Sequence, residues 1–138
     1  MRTPLLLILV LLLISGCGKK YTSHLYDDTV RGSRVDAVRL STADANLSRL
    51  VKAMLQKRDI AISDRALLTL QAEATTYSHH CNNPLTCSYD ATYDGFVKLT
   101  LMRQMHPLYM VQSDYHGRLT PKLLESLWEQ MTEELELR

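Results

Sequence analysis

One short stretch, Ser78 to Cys87, gathers the side chains best suited to chemistry: His79, His80, Cys81 and Cys87. Imidazole nitrogen and thiolate sulfur are good zinc ligands, and four of them close a tetrahedral site. His106 and His116 add two imidazoles elsewhere in the chain. Against a metal, neighbouring residues on an extended chain point to opposite sides, which separates His79 from His80. The two thiols stand six residues apart across a loop whose flanking strands pair, so they can meet at disulfide distance. The sequence therefore predicts a Cys81 to Cys87 bridge with two solvated histidines beside it, and no resident metal; zinc is the alternative. A loop this short gives about 2 kcal/mol, and its larger effect is to fix the tip.

Catalytic constellations are weaker. Asp90 and Asp94 share the polar face of a strand without a matching acid and base arrangement. Neither Ser78 nor Ser88 stands in a nucleophile elbow with a base and an orienting group. The five glycines are scattered, so no phosphate-cradling loop forms. The chain is read as non-catalytic, with no cofactor.

The third cysteine belongs to a different pattern. Arg2 gives a positive start, Leu5 to Ile14 is an unbroken apolar run, and Leu13 to Cys17 places small residues before a thiol. The run is short for a bilayer span, which needs about 20 residues, and fits a secretory leader. Leu13 to Cys17 closely resembles a bacterial lipobox, implying cleavage before Cys17 and acylation of that residue, so that residues 1–16 are a signal peptide. The alternative is a single membrane anchor with an incidental cysteine. Gly18, rather than Asp, resembles the sorting pattern for the outer membrane, with the domain facing the periplasm. Export also favours oxidised Cys81 and Cys87. Without Arg2, fifteen basic residues balance fifteen acidic ones, so no basic field recruits nucleic acid.

The elements that position these residues follow from periodicity. Cys17 to Arg34 reads as an extended tether that lets the domain stand off from the lipid, with Tyr21, Leu25 and Tyr26 expected to pack on the domain and a partner as the alternative. Residues 35–138 form one domain. Val35 to Leu40 is a strand, and Ser41 to Asp44 supplies capping side chains. Leu47, Leu50, Val51, Met54 and Leu55 then make one apolar helix face, which Arg58 and Asp59 end. Ile60 to Ile62 begins a short strand. Alternation over Leu67 to Tyr77 and Ser88 to Met102 describes a long antiparallel hairpin. A turn at Gln104 to Pro107 leads to a strand over Leu108 to Tyr115. Thr120 caps a last helix, with Pro121 in its first turn and Leu124, Leu127, Trp128, Met131 and Leu135 as its buried stripe. The order β-α-β-β-β-α predicts an α+β sandwich of two layers: an antiparallel or mixed sheet of about four strands covered by two helices.

The lipobox cysteine, the tether, the strand with its polar turn, the helix from Asn46 to Leu55, Ile60 to Ile62, the alternating strands and the helix from Pro121 together resemble the LptE family, the outer-membrane lipopolysaccharide-assembly lipoproteins. The resemblance implies a two-layer α+β fold, a partner that is an outer-membrane β-barrel translocon whose lumen the protein plugs, and contact with lipopolysaccharide. Lys98, Arg103 and Arg118 are chemically suited to meet its phosphates or other anions. A second expectation is an accessory lipoprotein of a secretion, pilus or flagellar machine, a protein interaction module that uses a sheet edge by strand addition.

Overall fold

A computed structural model describes residues 21–77 and 93–138. Among the described residues, six strands and two α-helices follow one another in the order β1 (Thr22–Leu25), β2 (Ala37–Ser41), α1 (Ala45–Gln56), β3 (Ala61–Ile62), β4 (Leu68–Thr76), β5 (Gly95–Arg103), β6 (His106–Tyr115) and α2 (Pro121–Glu134), with a 3-10 turn at Asp28–Val30. The sheet runs β1-β6-β5-β4-β2-β3. It is mixed: β2 lies parallel to β3 and β4, and every other pairing is antiparallel. The α+β class, the two helices and the mixed sheet agree with the sequence, but the sheet has six strands rather than about four.

Alternation decides which face is covered. Leu68, Leu70 and Ala72 of β4 and Val97, Leu99 and Leu101 of β5 are buried in one core with Leu47, Val51, Met54 and Leu55 of α1 and Leu124, Leu127, Trp128 and Met131 of α2. Both helices therefore cover the same face. On the other face Gln71, Glu73, Phe96, Lys98, Met110 and Gln112 are half-buried.

The largest departure from expectation concerns the tether. From Tyr21 onward it is part of the domain: β1 pairs antiparallel with β6, Thr22 opposite Gln112 and Leu25 opposite Tyr109. Val30 is fully buried. The stretch after it is clasped to the end of the chain, Gly32 N–H donating to Leu135 O at 2.8 Å, Val35 N–H to Arg138 O at 3.0 Å and Arg138 N–H to Ser33 O at 3.0 Å. A four-residue strand with polar composition has no periodicity to betray it; the free edge of β6 supplies the ladder that makes it a strand. Tyr21 packs against the core as expected, whereas Leu25 and Tyr26 are exposed. The second strand begins at Ala37, not Val35.

The β5–β6 connection also differs. The turn is only Gln104 and Met105, both at positive φ (48° and 70°), and Pro107 lies inside β6. Two left-handed residues give the turn whose twist matches a hairpin. Pro107 is tolerated because β1 ends at Leu25, opposite Tyr109, so no strand flanks it on that side. Leu101 pairs with Tyr109 but Met102 with Pro107, making Leu108 the extra residue of a β-bulge. The bulge explains why consecutive Leu108 and Tyr109 are both buried. Its carbonyl accepts from Tyr26 N–H at 2.8 Å and Asp27 N–H at 3.1 Å, which fastens the end of β1.

The helix caps follow the sequence. Asp44 Oδ1 accepts the Leu47 N–H at 2.7 Å, and Thr120 Oγ1 accepts the Leu123 N–H at 3.3 Å. After α1, Ile60 N–H reaches Leu55 O at 3.0 Å and Asp59 N–H reaches Gln56 O at 3.1 Å, with Asp59 left-handed at φ 57°. This pair of bonds is a Schellman closure with aspartate where glycine is favoured. Asp59→Gly should stabilise the fold by about 1 kcal/mol, seen as a higher urea midpoint with unchanged slope.

Topology sorts the two ends of the sheet. Strands β2, β4 and β6 finish, and β1, β5, α1 and α2 start, at one end, the near end; the Gln104–Met105 turn and both helix C-termini lie at the far end.

Candidate docking surface

Lys98, Arg103 and Arg118 do not converge. Lys98 lies mid-strand on the open face, opposite Glu73, and its Nζ is 2.5 Å from Glu73 Oε2. A partly exposed cross-strand pair of this kind contributes about 0.2–1 kcal/mol and occupies the cation. Arg103 ends β5 at the far end, about 17 Å along the strand from Lys98 and on the other face by parity. It lies near enough to Asp27 to help hold that carboxyl below its usual range, chiefly a result of the backbone and side-chain hydrogen bonds from Thr29. Arg118 follows β6, at the near end. Cys17, His79, His80, Cys81 and Cys87 lie outside the described residues, as do the signal peptide and Asp90. His106 and His116 stand at opposite ends of β6, and among the described residues no group of three or more His, Cys, Asp or Glu is placed to hold a metal ion.

What the fold does assemble is a cluster at the near end. Tyr93 stacks on His116, ring centroids 4.6 Å apart at 26°. Asp94 Oδ2 accepts the Gly117 N–H at 2.5 Å, which holds the loop after β6 against the start of β5, with Gly117 left-handed at φ 65°. Tyr77 Oη donates to Asp114 Oδ1 at 2.9 Å, and this bond together with burial raises the Tyr77 pKa. Thr76 Oγ1 and Tyr115 Oη are 3.3 Å apart, and the Tyr115 hydroxyl end lies over Gly95.

Two shallow depressions flank Tyr115 and Arg118, which line both. One, of about 360 Å³, is bounded by Tyr21, Tyr93, Asp114, His116 and Leu123. The other, of about 460 Å³, is bounded by Asp44, Asn46, Arg49, Ala74, Thr76, Gly117 and Leu119. Aromatic faces, hydroxyls and two guanidiniums equip this end for recognition: stacking, hydrogen bonding and anion contact.

Sequence reasoning found Arg118 but missed Arg49, Tyr77, Tyr93 and Tyr115 as its neighbours. The hint was position, since Tyr77, Tyr93 and Tyr115 stand at or beside strand ends and Arg49 opens the second turn of α1. Their convergence needed the strand order.

A second polar cluster joins β1 to α2. Glu134 accepts from Ser23 Oγ at 3.0 and 3.2 Å, from Tyr109 Oη at 2.8 Å and from Gln130 Nε2. Arg31 Nη1 donates to the Glu134 carbonyl at 2.6 Å. These bonds hold β1, and with it the point where the chain enters the domain.

The fold and its near end thus define a two-layer α+β domain in which, among the described residues, one sheet face carries no helix, with a polar, aromatic terminal surface. The chain matches no protein-family model and no curated protein sequence.

Proposed function

We propose that this chain is an outer-membrane lipoprotein of the LptE type, a non-catalytic assembly and plug component of a lipopolysaccharide-transport β-barrel. Acylation at Cys17 anchors it, and the connection between β4 and β5 inserts into the barrel partner. One observation carries the reading: Tyr21, where the chain enters β1, lies at the same end of the sheet as Tyr77 and Tyr93, where that connection leaves and returns. A lipid four residues upstream of Tyr21 therefore directs this end toward the membrane, where a barrel lumen lies.

The α+β class with two helices on one sheet face also fits the LptE resemblance. Phosphate contact falls to Arg118, since Lys98 is paired with Glu73 and Arg103 is at the far end.

The test is recovery of the full chain from envelope membranes with photo-crosslinkers at Tyr77 and Tyr93. Crosslinking to a large outer-membrane β-barrel subunit is the expected result. Crosslinking to a ring or appendage component would overturn it and favour the accessory-lipoprotein reading.

A further inference from the structure

We propose that the near end of the domain binds an uncharged oligosaccharide, one sugar ring in each of the two depressions that Tyr115 and Arg118 both line. The site is built from the described residues alone and goes beyond the barrel reading without resting on the anchor.

Hydrogen-bonding chemistry sets the class of ligand. Each depression places groups that only accept beside groups that only donate: Asp44 with Arg49 and Arg118 in the larger, Asp114 with Arg118 in the smaller. Asp44 Oδ1 takes the Leu47 N–H and Asp114 Oδ1 the Tyr77 hydroxyl, so neither carboxylate is neutralised by a cation. Arg49 Nη2 donates at 2.7 Å to the neutral amide oxygen of Asn46, and among the described residues no carboxylate pairs with Arg118. A bare anion would therefore meet Asp44 and Asp114 as well as the arginines, and a bare cation would meet the reverse. A sugar hydroxyl both donates and accepts, so neighbouring hydroxyls on one ring can serve a carboxylate and a guanidinium together with no net charge of their own.

Aromatic lining narrows the class to rings. Tyr21, Tyr93 and His116 bound the smaller depression, with Tyr93 and His116 stacked at 4.6 Å between centroids. An aromatic face carries partial negative charge and attracts the polarised C–H groups of a pyranose, which a straight-chain polyol does not present as a flat surface. Volumes of about 360 and 460 Å³ suit one ring each. Tyr115 and Arg118 line both depressions and so form the ridge between them, which a linked pair of rings crosses with one ring on either side. The depression beside Gly32 lacks this mixture: no aromatic ring lines it, and its Arg34 and Arg58 are already paired, with Asp36 at 2.7 Å and Glu129 at 3.2 Å.

The experiment uses the full chain in a sugar-free detergent and glycerol-free buffer, with chitotriose and maltotriose as probes. Saturation-transfer NMR should carry magnetisation from the protein's aromatic protons to the C–H protons of a trisaccharide, and titration of that signal gives the affinity. Chitotriose against maltotriose separates an N-acetylated cell-wall strand from a plain hexose chain as the source of the sugar, and transfer to either supports the site. Tyr93→Ala and Arg118→Ala should each weaken binding roughly tenfold, whereas Tyr93→Phe keeps the ring and should bind as the wild type does. Tyr93 precedes β5 and Arg118 is exposed, and an unchanged denaturation midpoint confirms that each variant is folded. Transfer to glycerol as strong as to a trisaccharide, or an affinity indifferent to both alanine variants, overturns the saccharide site. Absence of transfer to both trisaccharides, together with crosslinking from Tyr93 to a barrel subunit, assigns this end to protein contact; it overturns the saccharide site and leaves the barrel reading standing.

Discussion

Gly95→Ala is expected to destabilise the fold by about 3 kcal/mol, lowering the melting temperature by about 12 °C. A methyl at this position would lie 2.2 Å from the Thr75 carbonyl oxygen and 2.6 Å from Tyr115 Oη. Gly95 begins β5 between Thr76 on one side and Tyr115 on the other, and its missing side chain is the space into which the tyrosine ring folds. The ring can swing away, but the carbonyl belongs to the β4 backbone and can yield only by opening the ladder. Adding Tyr115→Ala to the alanine variant should therefore restore only part of the loss. Chemical denaturation of the three proteins, compared at equal slope, measures both effects. Full recovery in the double variant would show that the ring alone, not the backbone, sets the requirement.

Glu134→Ala should cost about 2–3 kcal/mol and loosen β1 before the rest of the sheet. The carboxylate is the common acceptor for Ser23, Tyr109 and Gln130. Hydrogen bonds to a charged group contribute about 1.5–3 kcal/mol, and removing the acceptor takes away the charged partner of the Tyr109 hydroxyl, on a residue only 1% exposed, and leaves it Ser23 alone. Glu134→Gln keeps the shape and one acceptor oxygen and should lose about 1 kcal/mol. Hydrogen exchange distinguishes a local role from a general one: amides of Thr22 to Leu25 should lose protection in the alanine variant at a denaturant concentration where β4 and β5 retain theirs.

The same cluster sets an alkaline limit. Burial first, and the bond to Glu134 second, raise the Tyr109 pKa far above its ordinary value of 10.0. The folded state therefore keeps this proton where the unfolded chain releases it. That contribution to stability is complete below about pH 10 and is lost as pH rises past it toward the folded value. Denaturation midpoints followed from about pH 9 to about pH 11 should fall more steeply in the wild type than in Tyr109→Phe.

The two variants act at opposite faces of one arrangement. Gly95 and Tyr115 shape the near end, while Glu134 holds β1, the strand through which the chain enters the domain.

Local periodicity was enough for most of the elements. The heptad-like stripe from Leu47 to Leu55 and the stripe from Leu124 to Met131 define helix faces whatever surrounds them, because side chains three and four apart share a face. Asp44 and Thr120 cap because their oxygens reach amides of their own first turn. The alternation of Leu68, Leu70 and Ala72 and of Val97, Leu99 and Leu101 marks one wet and one buried face on each strand. These are interactions over a few residues, so the sequence contains them completely, and the α+β class with two helices follows.

The rest depends on contacts between distant residues. Thr22 to Leu25 has no pattern of its own and is a strand because β6 offers an unpaired edge, with Ser23 bonded to Glu134 across 111 residues. Pro107 sits in β6 because no neighbour needs its missing N–H, which strand order alone decides. Lys98 and Arg118 look equivalent as cations until register places one opposite Glu73 and leaves the other at the near end. A sequence determines what each segment can hide and what it can offer to water. Only the tertiary structure decides which offered groups meet, because pairing across a sheet is set by the order and register of strands that lie far apart along the chain.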